Sequence, residues 1–473
     1  MVTRPPILAS LATLLLLGGC ATVQPRKSFP AVQRAVSERS TYRVHWNDGG
    51  DADKAVDAQV SSLLAQPLDA DAAVQIALLS NRNLQAVYED LGVAQAELVG
   101  AGLLKNPVFD GSVRFIEGGG SPTLDLGVAF DFLDVFFIGL RKRVAEAQLE
   151  AAKANVTGAV LDLAAQTKIA FYELQAAEQI AEMQRQVERA TASSYDLAKR
   201  LRQAGNNRSL DVANERALHE ESRVSLAAAE LDVNQRREDL NRLMGLWGTR
   251  TQWTIAGRLV EPTAEEVSSD GLERRAIERS VDLQASRAAV TVALRDLGIT
   301  QPLGYLSELE VGASSERDDG QWEHGPSIAL PIPIFSQGQP AVARARAELR
   351  RAEQLYYAMA VDVRTSVRSS HARTVSIRQQ ADYYRNVLLP LRQTIVEETQ
   401  LQYNAMQVGA FQLLEAKRDQ IEAGRAYLEL LGEYWTAKTE LELILSGRLA
   451  RPAQTGRPDS APAPAGSGSS GGP

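Results

Sequence analysis

The spacing of apolar residues changes along the chain, and each change predicts a boundary between two elements. The residues from 69 to 104 predict a helix, with Asp69 or Asp71 as its N-cap and Gly102 near its end. From 108 to 132 apolar and polar residues alternate one by one around a Gly-rich turn at 118–122. Alternation of this kind predicts a β-hairpin with one apolar and one polar face.

The same order of elements returns about 200 residues later, which indicates an internal repeat. After a second predicted helix, strand alternation begins at Leu309, and the polar loop 318–320 leads to a second alternating run over 328–334. Pro331 and Pro333 lie in that run, although proline is normally confined to strand ends or edge strands. A second β-hairpin is therefore predicted here.

Each predicted hairpin is followed by a helical tract of unusual length. The chain has no proline between Pro122 and Pro262, and small or apolar residues in this tract follow the 3-4 spacing of a coiled-coil seam. A helix over 141–204 would be about 95 Å long at about 1.5 Å per residue. Gly205 and the two residues after it break this helix, and a second helix is predicted to run back over 210–244.

The second copy is predicted to contain the same pair of helices. They span 341–407 and 413–445, with a break at Gly409 that is matched to the break at Gly205. Pro390 is expected to kink the outgoing helix, because proline removes a backbone donor and clashes with the preceding turn. Each copy is thus a helix, a strand pair and a long helical hairpin.

Strands with one apolar and one polar face suit a membrane barrel, in which lipid-facing and lumen-facing residues alternate. Such a barrel must close, because an open edge in lipid leaves backbone groups without partners. Four strands per chain are too few, since the smallest natural barrels use about eight. The chain is therefore expected to oligomerise. Two copies could supply eight strands and three could supply twelve, and a lumen wide enough for solutes favours the larger number.

The N-terminus carries a targeting signal. Arg4 precedes an apolar run at 7–17, and the sequence Leu-Gly-Gly-Cys at 17–20 resembles a bacterial lipobox. The resemblance implies cleavage before Cys20 and lipidation of that residue, and Ala21 favours sorting to the outer membrane. The alternative is an ordinary secretory signal with an incidental cysteine. The apolar run is shorter than the roughly 20 residues that span a bilayer as a helix.

Composition excludes several other classes of function. The chain of 473 residues has a net charge of −8, and charges of both signs are mixed, so no basic face for nucleic acid is expected. Its four histidines are far apart, and the glycines at 118–120 lack the lysine of a phosphate-binding loop. We therefore expect no enzyme, no cofactor and no structural metal site.

The order of elements, given twice, resembles the outer-membrane efflux (TolC) family over roughly 68–445. Three features carry the resemblance: the sequence Ala-Gly-Leu-Leu-Lys-Asn-Pro at 101–107, the sequence Leu-Pro-Ile-Pro-Ile-Phe at 330–335, and the glycines at both hairpin tips. The segment 102–107 is most similar to the heavy-metal branch of the family. Drug, heavy-metal and secreted-peptide ducts nevertheless share this architecture, so the cargo stays open.

The resemblance implies an α+β membrane protein. It would be a homotrimer whose twelve-stranded β-barrel, four strands per chain, is continued by a long α-helical periplasmic barrel. It also implies a passive gated duct, lipid-anchored in the outer membrane and projecting into the periplasm. This duct would dock to a periplasmic adaptor and a proton-driven inner-membrane pump. The alternative is a lipid-anchored periplasmic coiled-coil protein without a pore, which would have no use for two amphipathic hairpins.

The sequence divides into five predicted regions. They are a lipoprotein signal peptide (1–19), a lipid-anchored N-terminal segment (20–67), a first repeat (68–260), a second repeat (261–449) and a disordered tail (450–473). The tail is rich in Pro, Ala, Gly and Ser and contains few residues able to form a core.

In this family, inward-facing residues just beyond the hairpin tips close the periplasmic end, where carboxylates ring a narrow aperture. The matching positions are counted from Gly205 and Gly409. Phe411 and Arg418 stand where some relatives have a basic and an acidic residue. The expected gate residues are Asp211, Glu415, Phe411 and Arg418. Three copies of each carboxylate would form rings that attract cations. The alternative is that the two carboxylates merely lie on solvated helix faces.

The two hairpin tips are the expected contacts for the adaptor, because a partner can reach the loops at the end of a rigid tube. The predicted contact segments are 200–209 and 403–413, and their representative residues are Arg200, Gly205, Ser209, Tyr403, Gly409 and Leu413. The copies are also unequal, since Pro331, Pro333 and Pro390 occur only in the second. We therefore expect the second hairpin to move more than the first when the gate opens.

Overall fold

The computed structural model describes residues 22–115, 121–131, 133–206, 208–262, 269–303, 309–318, 321–330, 334–335 and 337–450. The helices are α1 (Phe29–Ser37), α2 (Asp51–Leu64), α3 (Ala70–Ser80), α4 (Arg82–Ala101), α5 (Asp134–Gln203), α6 (Ser209–Met244), α7 (Leu272–Arg279), α8 (Val281–Leu303), α9 (Gln339–Tyr383), α10 (Leu389–Asn404) and α11 (Ala410–Leu445). The strands are β1 (Val108–Arg114), β2 (Thr123–Asp131), β3 (Glu310–Asp318) and β4 (Gln321–Ala329). A π-helical segment, Tyr384–Leu388, joins α9 to α10.

The four strands form one antiparallel sheet in the order β1-β2-β3-β4. Phe109 pairs with Val128, Val128 with Ala313, and Ala313 with Pro326. Residues in direct register share a face, and successive residues alternate between faces. The apolar positions of the strands therefore lie together on one face and most of the charged positions on the other, as the alternation predicted.

The fourth strand lies earlier in the chain than the predicted run 328–334. It begins at Gln321, which pairs with Asp318 directly across the turn. A turn this short sets the register, so β4 must start immediately after it. Pro326 lies inside β4, which is the last strand of the sheet formed by this chain, and proline within a sheet is found mainly in such strands. The segment 331–333 lies outside the described residues.

The helix predicted over 69–104 is instead two helices, α3 and α4, separated at Asn81. The Asn81 side chain caps α4 by accepting a backbone N–H at 3.0 Å, and it donates to the Leu243 carbonyl at 2.8 Å. Gly245, with φ 68°, packs against the same junction, where a Cβ would lie 2.7 Å from the Ser80 carbonyl oxygen. The break depends on contact with the end of α6. Such a long-range contact cannot be predicted from the helix propensity of residues 69–104.

The helices α7 and α8 meet in the same way in the second repeat. Ser280 Oγ accepts the Leu283 N–H at 3.1 Å, and the Val281 N–H donates to the Gly447 carbonyl at 2.7 Å. Gly447 has φ 105°, and a Cβ there would collide with the Arg279 carbonyl. Both halves of the chain thus share the construction of this junction, which is the structural mark of the duplication.

The copies differ one residue beyond these glycines, where the first has Leu246 and the second has Arg448. The buried Arg448 guanidinium bonds the Asp162 carboxylate at 2.6 and 2.9 Å and also bonds Asp282. Gly158 leaves room for it, since a Cβ there would lie 2.8 Å from Nη1. Burial lowers the pKa of Arg448, but the two carboxylates outweigh that effect and raise it. This ion cluster joins α5 to α8 and the end of α11.

The long helices carry the predicted hairpins. α5 runs for 70 residues and α6 returns for 36, so that α5 is about 105 Å long at about 1.5 Å per residue. The predicted distortion at Pro390 takes the form of the π-helical segment that precedes it. Pro390 itself lies in the first turn of α10, where its missing N–H matters least. None of the helices in the described ranges is both long and apolar enough to cross a membrane.

The described part of the N-terminal segment, 22–67, packs onto the first repeat. Phe29 meets Trp46 edge-on with ring centroids 5.6 Å apart, and it meets Tyr88 at 5.1 Å. Val36 is also fully buried in the same core. Asp69 caps α3 as predicted, because its carboxylate accepts a backbone N–H at 2.7 Å. This core includes residues of α5 and α6 that lie away from the hairpin tip.

Candidate functional site

The first hairpin tip is a compact turn. Gly205 takes the left-handed conformation with φ 80°, and the Asn206 N–H donates to the Leu201 carbonyl at 2.9 Å. This is the usual way in which a helix ends at a glycine. The next helix starts after Arg208, whose backbone N–H donates to the Asp211 carboxylate at 3.3 Å. In this conformation the Asp211 side chain therefore caps the N-terminus of α6.

The second tip has the same geometry with different residues. Met406 takes the left-handed conformation with φ 59°, and the Gln407 N–H donates to the Gln402 carbonyl at 2.9 Å. The Gly409 N–H donates to the Gln412 side chain at 2.8 Å. A left-handed residue other than glycine costs free energy, which the surrounding turn has to offset.

These bonds correct the predicted matching of the two tips. The structural counterpart of Gly205 is Met406, and Gly409 corresponds to Arg208. Asp211 consequently corresponds to Gln412 and not to Glu415. Counting from the two glycines was wrong because one glycine ends a helix whereas the other begins one. The two predicted gate carboxylates lie about one helical turn apart along their hairpins.

The four predicted gate residues do not form one cluster within the chain. Asp211 is half-buried, Glu415 is exposed, and Phe411 is 65% exposed. Arg418 reaches across from α11 to α6 and forms an ion pair with Glu221 at 2.7 Å. Glu221 was not predicted as a site residue. Nothing in the sequence distinguishes it from the many other carboxylates on the helices.

The predicted adaptor contacts also differ in accessibility. Arg200, Gly205, Ser209 and Gly409 are exposed and Tyr403 is half-buried. Leu413 is only 4% exposed, so its side chain is not accessible in this conformation. It lies in the first turn of α11, where the apolar side chain packs inward.

Three apolar side chains at the tips are strongly exposed, and one of them, Leu210, lies just outside the predicted contact segments. Leu210 and Phe411 occupy matching places in the two hairpins and are each 65% exposed, while Met406 is 94% exposed. Exposed apolar groups of this kind mark contact surfaces when they cluster. Leu210 and Phe411 can be matched only after the two turns have been aligned by their hydrogen bonds, which requires the structure.

The polar face of the sheet is strongly acidic. Arg114 bridges the Asp125 carboxylate at 2.6 Å and the Glu316 carboxylate at 3.4 Å, which links the first three strands. Glu316 stands directly opposite Glu323 in the register of β3 and β4. Like charges in direct register are unfavourable unless something screens them. The described carboxylates of this face are Asp110, Asp125, Asp131, Glu310, Glu316 and Glu323.

A buried ion pair lies where the sheet meets α5. The Asp134 carboxylate, 3% exposed, accepts bonds from the Arg141 guanidinium at 2.5 and 3.0 Å and from the Lys105 backbone N–H at 3.2 Å. Burial raises the pKa of Asp134, but these donors outweigh it and hold the pKa below its usual value. The pair fixes the direction in which α5 leaves β2.

Some predicted features lie in residues that the structure does not describe. Cys20, the predicted lipidation site, is outside the described residues, as are the loop tips 116–120 and 319–320. Within the described ranges, no group of three or more His, Cys, Asp or Glu side chains is arranged to hold a metal ion.

Known proteins with similar sequences are outer-membrane efflux proteins. The profile of the outer membrane efflux protein family matches residues 73–246. The cobalt-zinc-cadmium resistance protein CzcC of Cupriavidus metallidurans is 25% identical over 390 residues, which cover 80% of this chain and 90% of that protein. The probable outer membrane lipoprotein SilC of Salmonella typhimurium is 23% identical over 449 residues, covering 89% and 94%.

Solved structures share the fold. The structure of CusC has a TM-score of 0.68 at 15% identity and covers 80% of this chain and 92% of that one. The CmeC outer membrane channel of Campylobacter jejuni also has a TM-score of 0.68, at 17% identity, covering 80% and 86%. The fold of the chain is therefore the one predicted, with four strands and two pairs of long helices.

The sheet with two unlike faces, the paired long helices and these likenesses together define an outer-membrane efflux channel. Residues 73–246 match the outer membrane efflux protein family, and the chain as a whole is similar to members such as CzcC. It is accordingly a channel component of an efflux system and not an enzyme. The alternative of a periplasmic coiled-coil protein without a pore is set aside.

Proposed function

We propose that this chain forms the exit duct for divalent metal cations in a tripartite system, together with a periplasmic adaptor and a proton-driven inner-membrane pump. The acidic polar face of the sheet is the observation that carries the proposal. The name of CzcC, a cobalt-zinc-cadmium resistance protein, supports the same class of cargo.

The acidic face would line the barrel, since the opposite face is apolar and suited to lipid. On this face, the described strands of each chain carry six carboxylates and one basic residue, Arg114. Three chains would therefore surround the lumen with an excess of negative charge. Charge of one sign in a narrow duct raises the local concentration of counter-ions and repels ions of the same sign.

The tips are the proposed docking surface for the adaptor. Their exposed residues combine polar groups, such as Arg200 and Ser209, with the apolar side chains of Leu210, Met406 and Phe411. An apolar centre with a polar rim is the usual composition of a protein interface. Asp211 and Glu415 lie beside this surface, so that docking at the tips would act directly on the proposed gate.

The pair Arg418–Glu221 is the proposed lock of that gate. It joins the two returning helices α11 and α6, which must separate or slide if the aperture is to widen. Cys20 is the proposed lipid anchor that holds the chain in the outer membrane. SilC is itself named a lipoprotein, which supports the anchor.

Planar bilayers containing the purified trimer test the proposed cargo class. A salt gradient should give a reversal potential of the sign expected for cations. The double variant Glu316→Gln/Glu323→Gln should move it toward zero, because it removes the paired carboxylates. Glu353→Gln, an exposed carboxylate on α9, is the control and should change nothing. An anion-selective channel, or membranes without conductance, would refute the proposal.

Growth of cells tests the cargo itself. Removal of the chain should sensitise cells to cobalt, zinc or cadmium while leaving tolerance to hydrophobic drugs unchanged. The opposite pattern would assign the duct to drug efflux.

A further inference from the structure

The apolar face of the sheet ends in a polar group beside the turn between β3 and β4. Arg317 and Trp322 are direct partners across these strands, and Ser315 and His324 are the next pair on the same face. Every other described position of that face is apolar or glycine. These positions are Phe109, Gly111, Val113, Leu124, Leu126, Val128, Phe130, Val311, Ala313, Pro326 and Ile328.

The four polar side chains form one connected cluster. The rings of Trp322 and His324 stack with centroids 6.0 Å apart and an interplanar angle of 9°. The Arg317 guanidinium carbon lies 6.0 Å from the Trp322 ring centroid, and Ser315 Oγ lies 2.7 Å from His324 Nδ1. Because the serine occupies Nδ1, Nε2 is the imidazole nitrogen left for a ligand. A guanidinium held against an indole keeps the N–H donors at its edge available.

The charge of Arg317 is not neutralised by a neighbour in the part of the chain that the structure describes. It forms no ion pair there. Among the described side chains, the neighbouring carboxylates Glu316 and Glu323 project to the opposite face because strand residues alternate. A cation on an otherwise apolar surface requires a negative partner, since an unpaired charge is costly wherever water is scarce.

We infer that Arg317, Trp322 and His324 bind the phosphate-bearing headgroup of a lipid in the outer leaflet. The inference rests on the placement of these strands in the outer membrane, which is part of the proposed function. Tryptophan and basic residues prefer the level of the headgroups, and the apolar positions below them would contact acyl chains. A lipid fits both parts of this surface, whereas a soluble anion would use only the polar part.

The described residues of the first hairpin, 108–115 and 121–131, provide no equivalent site. Its cation, Arg114, lies on the acidic face and is paired with Asp125 and Glu316. Its contribution at the outer end of the apolar face is Phe115, which is 82% exposed. The site would therefore occur once per chain, or three times around the trimer.

Native mass spectrometry of the purified trimer in detergent tests the site with defined probes. These are bisphosphorylated lipid A, the same glycolipid without phosphates, and inorganic phosphate. Arg317→Gln should weaken binding of the phosphorylated lipid about fivefold, the effect of one basic residue at an anionic membrane surface. It should leave the dephosphorylated lipid unaffected. His324→Gln should have a smaller effect in the same direction, and Arg114→Gln should have none on lipid affinity.

Each contrary outcome has a definite meaning. Equal binding of phosphorylated lipid by wild type and Arg317→Gln would overturn the inference, as would equal affinity for the dephosphorylated lipid. Inorganic phosphate binding as tightly as the lipid would show an ion site instead of a lipid site. Single-channel conductance of Arg317→Gln should match that of wild type. A wild-type trimer that fails to conduct would instead refute the proposed duct.

Discussion

Glu261 in the connector between the two repeats forms an ion pair at 2.6 Å with Arg385 in the π-helical segment. A π-helical turn contains an extra residue and has weaker backbone bonding than an α-helix, and helices often bend at such turns. The connector itself is held by the core, since the Trp435 indole donates to the Val260 carbonyl at 2.7 Å. The pair thus ties the weakest point of the second outgoing helix to the rigid part of the tube.

Glu261→Gln should favour the open state of the channel. Both partners are 50% exposed, so the pair contributes less than about 1 kcal/mol. The open-to-closed ratio should rise by a factor of up to about five, which single-channel open probability in planar bilayers measures.

The first repeat offers a matched control. Arg258 of the same connector pairs with Glu182 in α5 at 2.5 Å, where the helix is unbroken. Arg258→Gln should leave open probability near the wild-type value. Equal effects of the two variants would contradict the expectation that the second hairpin moves more.

Exchange of charge at the proposed lock tests the gate independently. Arg418→Glu places a carboxylate beside Glu221, so the two returning helices should repel and conductance should increase. Glu221→Arg should act in the same way, and the double exchange should restore the wild-type conductance. A double variant that remains as open as the single variants would show that this pair does not hold the gate.

Much of the fold follows from sequence because its elements are long and strongly periodic. Alternation located the strand pairs, and the absence of proline predicted the length of α5. The break at Asn81 was missed, because it involves contacts with Leu243 and Gly245, which lie more than 160 residues further along the chain. The fourth strand was misplaced because the turn between Asp318 and Gln321 sets its register, and the apolar run after it looks more like a strand than β4 does.

The candidate site was less predictable than the fold. Gly205 and Gly409 both mark breaks, but sequence alone does not show that one ends a helix and the other begins one. Met406 gave no signal, since few residues other than glycine adopt positive φ. Contacts between distant helices, such as Arg418 with Glu221, depend on packing that no local pattern records.

Asp134→Asn should destabilise the chain in a pH-dependent way. The pKa of Asp134 is lowered in the folded state, so its charge stabilises the fold above the usual carboxyl pKa. That contribution is lost as pH falls through the folded-state pKa. Thermal unfolding at neutral pH should show a loss of about 2 kcal/mol for the variant, less than the full cost of breaking a buried pair because Arg141 is partly exposed.

The difference between Asp134→Asn and wild type should disappear in strong acid, where both side chains are neutral. Asp51→Asn is the control, because that carboxylate is 95% exposed and should contribute little at any pH. A difference that persists unchanged at low pH would show that the variant disturbs packing and not the ion pair.

Gly447→Ala should be among the most damaging single-methyl substitutions in the chain. Gly447 combines φ 105° with close approach to the Arg279 carbonyl, so an alanine would be strained and would push apart the junction of α7 and α8. We expect a loss of more than about 2 kcal/mol in the free energy of unfolding. Gly298→Ala, in helix α8 with open space around the added methyl, should instead stabilise by about 0.5 kcal/mol. Gly245→Ala should resemble Gly447→Ala if the two junctions are equivalent, and a neutral effect at Gly245 would contradict that equivalence.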